Sequence, residues 1–388
     1  MVINCISNMS NNPMPELTWK EFRQIDYVTG GAFQLSLAHT QEPFICEEIV
    51  RVLPGKRLVA FGRWGNAEVV AKLFYARGNA KRHLQQDVAG MKALYQANIP
   101  APPLLYKGSA VKQRIQVVLF EKITPARNLA AIWQEQKNSD EFAALMHSVV
   151  IELATQHVLG ILQRDLHFKN FLVDDRRIYT LDGGSIQQFP AILDKKHSLD
   201  NLSLLFAQLG PGTEFLQCAL FKTYAKSRGW AVKEADFTAM QEAVIYKNKQ
   251  RWQHYQKKIF RSCTAFVRMN PFGKSIMYDR AYQSTEFLDF LCNPEKIFTQ
   301  PNVVLLKKGR SATVAKVMID NRLLVVKRYN VKNSWHWLRR CLRVTRAATS
   351  WGLAQRLQLF GIATAKPVAY IEQHFLGLHG KSYFVMEY

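Results

Sequence analysis

The chain has 388 residues, 48% hydrophobic and 21% charged. Those values exclude a disordered or fibrous protein and suit two to three compact units. A net charge of +22 points to polyanionic partners (nucleic acid, nucleotide phosphates or an anionic membrane surface) or to a basic surface kept for solubility. The six cysteines, Cys5, Cys46, Cys218, Cys263, Cys292 and Cys341, are scattered without a C-x-x-C pair. That spacing argues against a zinc module and against a disulfide scaffold, and reduced thiols in a cytosolic protein are the simplest account.

The N-terminus lacks a basic start followed by an apolar run, so no signal peptide is expected. The most apolar long stretch, 142–162, carries His147, Glu152, Gln156 and His157. It reads as an amphipathic helix and not a membrane span, so any membrane contact is expected to be peripheral.

Residues 1–45 read as an N-terminal extension. Strands are expected over 47–53 and 57–62, separated by the Pro54-Gly55 turn, and over 67–74, with Lys72 near the end of the third. A helix follows over 80–97, where Leu84, Val88, Met91 and Tyr95 recur on one face. Prolines at 100, 102 and 103 end it, and 116–121 is a short apolar strand. A long helix is expected over about 140–159. A loop from Gln163 to Asn170 leads to a strand over 171–173, a turn at Asp174-Asp175, a strand over 178–181 and then Asp182-Gly183-Gly184. Residues 196–300 read as mostly helical.

The chain then repeats itself. Val303–Leu306, Lys308-Gly309 and Leu323–Lys327 echo the pattern of strand, glycine turn and lysine-ending strand. The interval from Gly55 to Lys72 is 17 residues and that from Gly309 to Lys327 is 18. Gly361–Pro367 matches Asn98–Pro102, and Tyr383–Glu387 matches Val117–Glu121. The second copy reads as a small lobe with nothing after it.

The strongest chemical signal is Gln163-Arg164-Asp165-Leu166-His167-Phe168-Lys169-Asn170, followed after twelve residues by Asp182-Gly183-Gly184. Phosphoryl transfer needs a carboxylate for the attacking hydroxyl and oxygen ligands that hold Mg²⁺ on the phosphates. Asp165 would face the acceptor, and Asn170 and Asp182 would hold metal. The plainer alternative is a turn network, which leaves the upstream lysine and the flanking strands unexplained.

Lys72, at the end of V-V-A-K, would contact nucleotide phosphates and pair with a helix carboxylate; otherwise it is a snorkelling strand-end lysine. Asp87 is the candidate partner, one methylene shorter than the usual Glu. Gly55 and Lys56, with Arg57, form either a degenerate phosphate loop that substitutes charge for glycines or a plain hairpin turn.

Two basic stretches interleave aromatics: Lys247 to Arg261 with Trp252, Tyr255 and Phe260, and Arg339 to Arg346 beside Trp335, Trp337 and Trp351. They fit an anionic membrane, a phosphorylated glycolipid or RNA, or else solvated faces over core aromatics.

These phrases resemble the lipopolysaccharide core kinases, the Kdo and heptose (WaaP-like) family, in its tandem form. The carrying residues are VVAKLF around Lys72, QRDLHFKN at 163–170 and LDGGSI at 181–186 in the first copy, and VVKRYN at 325–330, Ser350-Trp351 and GIATAKPVAY at 361–370 in the second.

The resemblance implies an α+β, protein-kinase-like two-lobed fold. The small lobe would span 46–123, the large lobe 124–300, and a truncated second small lobe 301–388. It also implies ATP and Mg²⁺, and phosphorylation of a sugar hydroxyl of the lipopolysaccharide inner core. The protein would be cytoplasmic, at the face of the inner membrane, with the core or another anionic glycolipid as partner. By carry-over, Lys72 binds ATP, Asp165 is the base, and Asn170 and Asp182 hold metal. Glu121 enters the hinge whose backbone would hold adenine.

Gln163 stands where the family pattern has His, which is expected to alter loop packing. Gly183 stands where Phe is usual, which is expected to loosen the segment that follows. Ser350 replaces the helix carboxylate in the second copy, which as written cannot catalyse. A pseudokinase scaffold, a protein kinase and a nucleic-acid binder are the competing readings. Nucleic acid ranks last because it leaves 163–184 unexplained, and a protein kinase is disfavoured by the missing A-P-E anchor.

Overall fold

The computed structural model describes residues 17–25, 31–112, 114–137, 139–300, 303–331, 333–339 and 341–388. The chain is mixed α and β and divides into two compact units, Met1–Lys247 and Asn248–Tyr388.

The first unit begins with a short helix, α1 (Trp19–Gln24), and a short strand, β1 (Phe33–Leu35). Then come β2 (Phe44–Leu53), β3 (Arg57–Trp64), β4 (Ala67–Phe74), helix α2 (Ala80–Gln96), β5 (Leu104–Ala110) and β6 (Ile115–Glu121). The six strands form one antiparallel sheet in the order β1-β2-β3-β4-β6-β5. Alternation along β3 and β4 sends Leu58, Ala60, Val69, Ala71 and Leu73 to one face, where they join Phe22, Phe33 and Phe44 in a core. On the other face α2 buries Val88, Met91 and Leu94 against Val118 and Phe120.

Within the expected extension over 1–45, α1 and β1 thus contribute to this sheet's core, and 1–16 and 26–30 lie outside the described residues. A three-residue strand is too short to show a period.

The rest of the unit is β7 (Arg127–Asn128), α3 (Leu129–Gln136), α4 (Asp140–Val158), β8 (Ile161–Gln163), β9 (Phe171–Val173), β10 (Ile178–Thr180), β11 (Ile186–Gln188), α5 (Lys195–Phe206), α6 (Glu214–Ser227) and most of α7 (Glu234–Lys258). Ser139 caps α4 by accepting from Phe142 N, with Asp140 and Glu141 in the first turn. Phe142, Met146, Val149, Val150 and Leu153 of α4 centre the helical core. Two small antiparallel sheets, β10-β9-β7 and β11-β8, hold the segment from 161 to 188 in place.

The second unit contains β12 (Phe266–Met269), β13 (Lys274–Asp279), α8 (Thr285–Cys292), β14 (Val304–Lys308), β15 (Ala312–Ile319), β16 (Arg322–Tyr329), α9 (Ser334–Leu338), α10 (Arg346–Leu359), β17 (Pro367–Phe375) and β18 (Leu378–Glu387). Its seven-stranded sheet has the order β12-β13-β17-β18-β16-β15-β14. Five of these strands, β14-β15-β16-β18-β17, follow the order β2-β3-β4-β6-β5 of the first sheet. The register agrees as well. Lys72 stands opposite Val118, three residues before Glu121, and Lys327 stands opposite Phe384, three residues before Glu387.

The expected boundary between 300 and 301 is corrected. Strands β12 and β13 arise inside the region read as mostly helical and pair into the second sheet through β17. Ile276, Met277 and Tyr278 are buried there in sequence, and a short apolar run of that kind reads equally as helix or strand.

Among the described residues no helix is long and apolar enough to cross a membrane. The aromatics of the first basic stretch turn inward: Trp252, Tyr255 and Phe260 pack on the core around fully buried Trp351. In the second stretch Trp335 is exposed and Trp337 is half-buried.

Candidate active site

Lys72 lies on a central strand of the first sheet, between Val59 on β3 and Val118 on β6. That placement fixes its backbone. Its Nζ is 2.9 Å from Asp87 Oδ1 and 3.5 Å from Asp182 Oδ1, and it rests 5.3 Å from the centre of the Phe120 ring. The lysine side chain is 14% exposed and that of Asp87 only 3%. Asp87 Oδ1 also accepts the Gly184 N–H at 2.9 Å, while Oδ2 is buried without a hydrogen-bond partner.

A carboxylate as short as aspartate reaches the lysine because α2 lies against the 183–185 turn with backbone on backbone. A Cβ on Gly90 would fall 1.9 Å from Gly183 O. One on Gly183 would fall 2.1 Å from Asp87 O and 2.8 Å from Met91 Cγ. Either is far inside van der Waals contact. The expectation that Gly183 loosens this segment is corrected, because Gly183 is buried and the missing side chain is what lets the helix dock.

Asp182 adopts the left-handed conformation, φ 62° and ψ 67°, which a non-glycine residue reaches only at some cost. Ser185 holds it, donating both N–H and Oγ–H to Asp182 O at 3.0 Å.

The loop between β8 and β9 is tied down by side chains. Asn170 Nδ2 donates to Asp165 O at 2.7 Å, leaving its amide oxygen free to ligate. Gln208 closes the loop from α5's end, accepting from Phe168 N at 2.9 Å and donating to Leu166 O at 3.1 Å. The Asp165 carboxylate projects outward, 76% exposed, with His167 Nε2 3.8 Å away.

Gln163, the departure from the family's His, is fully buried and donates to Gln156 Oε1 at 2.8 Å. Gln156 donates in turn to Thr180 Oγ1 at 2.8 Å. The Gln163 carbonyl accepts from Asn201, which bonds buried His157 at 3.0 Å. His157 Nδ1 meets the Tyr224 hydroxyl at 2.6 Å. The loop therefore stands on a buried polar relay, and burial pushes the His157 pKa down to about 4.

Asp87, Asp165 and Asp182 all line one cleft of about 540 Å³. Lys56, Arg57 and Arg164 give it positive charge, His83 also lines it, and Leu53 and Phe74 give it apolar wall. Arg51 on β2 lies in the field of Asp165, Asp182 and Arg57, and burial first, then Arg57, holds its pKa below the ordinary arginine value.

The sequence reading named Lys56 and Arg57 but missed Arg51, His83 and Arg164. Arg51 and Arg57 flank the Pro54-Gly55 turn on paired strands, a pattern that could have exposed the cluster. Gly55 sits at the turn with φ 67° and outside the cleft lining.

Glu121 is the residue expected at the entry to the hinge. It is exposed at the end of β6 and does not line the cleft. Its N–H and that of Lys122 are bonded to Pro103 O and Glu68 O at 2.9 and 3.0 Å, so neither donor is open to a base.

The second unit does not reproduce the ion pair. Among the described residues Lys327 has only the Tyr329 ring, 5.2 Å away. Ser350 on α10, in place of a carboxylate, meets the Tyr329 hydroxyl at 2.7 Å.

No family model matches the chain, and no curated protein matches its sequence. Among solved structures, the chain is similar to the crystal structure of a point mutant of the Mycobacterium tuberculosis PknI kinase domain. The identity is 14% and the TM-score 0.35, over 54% of this chain and 96% of that one.

Proposed function

We propose that the first unit is an ATP-dependent phosphotransferase of protein-kinase-like design, acting on an alcohol. The observation that carries this is the pairing of Lys72 with both Asp87 and Asp182, two acids that line one cleft together with Asp165. In this reading Lys72, Lys56, Arg57 and Arg51 hold the phosphates, with charge doing what glycine N–H groups do elsewhere. Asp165, exposed and anchored through its own carbonyl by Asn170, accepts the proton of the attacking hydroxyl.

The Asp182 carboxylate and the Asn170 amide oxygen would offer oxygen donors of the kind that suits Mg²⁺ shared with phosphates. The ion, when bound, would offset phosphate charge.

For the acceptor we propose a sugar hydroxyl of the lipopolysaccharide inner core, supported by the tandem sequence phrases and by the basic cleft. A peripheral contact with an anionic inner-membrane face is supported by exposed Trp335, Leu338, Leu342 and Val344 beside exposed Arg339 and Arg343.

The test is phosphate analysis of core oligosaccharide from cells with and without the gene, paired with turnover of purified chain on ATP, Mg²⁺ and isolated core. Transfer that disappears in Asp165→Ala while the variant stays folded supports the proposal, and undiminished transfer overturns it. Transfer to a protein acceptor instead of core would favour a protein kinase.

An ATP-binding scaffold without transfer is the second reading. It is favoured by the single-glycine hairpin at Pro54-Gly55 and by the second unit, where Lys327 lacks a carboxylate partner among the described residues. A thermal shift with ATP and Mg²⁺ but no turnover would select it.

A further inference from the structure

A second cluster of ligating side chains lies in Asn248–Tyr388, on the hairpin formed by β17 and β18. His374 and His379 are register partners across the two strands, with ring centroids 4.8 Å apart. A β-bulge lies between Glu372 and His374, and bulges re-aim the side chains beside them. One donor atom from each of Glu372, His374 and His379 lies within 4.8 Å of the other two.

Two observations besides proximity point to a ligand. His374 Nε2 and His379 Nδ1 are both buried without a hydrogen-bond partner. Two unpartnered, buried ring nitrogens on neighbouring half-buried histidines are a costly arrangement, and an ion would satisfy ring nitrogens of both. Glu372 is also buried, and its Oε1 accepts the Thr345 hydroxyl at 2.6 Å. That bond orients the carboxylate, as outer partners of metal ligands do.

The backbone around the cluster is fixed from three sides. His374 N–H donates to Gly273 O at 2.7 Å, His379 N–H donates to Cys341 O at 2.8 Å, and Trp337 Nε1 donates to His379 O at 2.9 Å.

We propose that Glu372, His374 and His379 form a binding site for a zinc-class divalent cation that clamps the β17–β18 hairpin. Two imidazoles and one carboxylate are a borderline donor set that suits Zn²⁺, with a fourth position left for water. Ligand distances of about 2.0–2.2 Å put tetrahedral donors about 3.4 Å apart, so the three side chains close in modestly on binding. The scattered cysteines take no part.

The experiment uses the full chain, stripped with chelator. Zn²⁺ is titrated by calorimetry and Co²⁺ by its visible spectrum, and thermal unfolding is followed with and without Zn²⁺. One equivalent should bind, Co²⁺ should give intense tetrahedral bands, and Zn²⁺ should raise Tm. His374→Gln and His379→Gln keep the pocket polar. Each should lose more affinity than the ~10- to 100-fold that removal of an outer partner costs. Glu372→Gln should weaken binding less than either. Far-UV circular dichroism checks that the variants fold, and the wild-type Co²⁺ spectrum stands without them. Octahedral Co²⁺ bands, no binding, or undiminished affinity in both histidine variants would overturn the proposal.

Discussion

Asp87 and Lys72 meet at 2.9 Å although the acid is one methylene shorter than a glutamate. Helix α2 makes up the difference by lying directly on the 183–185 turn, where neither Gly90 nor Gly183 has a side chain to hold it off. Asp87 Oδ1 then bonds both the lysine and the Gly184 N–H. Short acid, bare helix face and bare turn form one coupled unit, and Asp182 is carried into place by the same turn.

Gly90→Ala tests that coupling. In an exposed helix the change would stabilise by up to about 1 kcal/mol through propensity. Here the new methyl lies 1.9 Å from Gly183 O, and overpacking typically costs about 1–3 kcal/mol. The clash should win, so Gly90→Ala and Gly183→Ala should both lower stability in chemical denaturation and reduce ATP affinity as α2 is pushed off. Gly184→Ala is the control. Its Cβ would meet nothing closer than 3.6 Å, and its Tm should stay near wild type.

Asp165→Asn should leave stability within about 0.5 kcal/mol of wild type, because the side chain is 76% exposed and surface changes away from special features are small. Transfer should fall by about 10²- to 10⁴-fold, the usual contribution of a positioned base, with ATP affinity unchanged. A fall in kcat without a change in nucleotide binding is the signature to measure. Equal loss of binding would mean that the residue holds ligand and does not take the proton.

Much of the site was legible because it is local. Residues 163–170 and 181–184 lie in turns between short strands whose spacing is fixed by chain length, and Lys72 sits in an apolar strand that announces itself. The tightness of α2 was not legible. It depends on Gly90 and Gly183, 93 positions apart in sequence, meeting in space, and a glycine replacing Phe reads as looseness until the neighbour is known. Arg51 was hidden for a similar reason, since only the β2–β3 pairing turns it toward the acids. Strands β12 and β13 were missed because a few apolar residues carry no period that separates strand from helix.

The Lys72–Asp87 pair should show strong thermodynamic coupling. Lys72→Met leaves Asp87, 3% exposed, with one N–H and no counter-charge, and breaking a buried pair from one side costs about 3–5 kcal/mol. Adding Asp87→Leu to Lys72→Met should recover most of the stability while leaving the chain inactive. Purely additive losses in that cycle would mean that the two groups do not act as a pair.

His157 gives the chain a pH response that is independent of the cleft. Its ring is buried against Tyr224 and Asn201, with Arg228 adding repulsion, and its folded pKa is held at about 4 against an ordinary 6.5. Between those two values the unfolded chain binds the proton and the folded chain does not, so stability falls as pH drops from about 6.5 toward 4. At 1.36 kcal/mol per unit of displacement the full loss is about 3 kcal/mol, present in whole only below the folded value. Glu152, one turn earlier, has its pKa raised by burial and works in the opposite sense, so the wild-type curve alone does not isolate the histidine. His157→Gln keeps a hydrogen-bonding side chain but cannot titrate. Its stability in urea should lie below wild type at pH 7, and the difference should narrow steadily as pH approaches 5. A gap that stays constant across that range would mean that His157 titrates alike in the folded and unfolded chain, so that its burial does not hold the proton off.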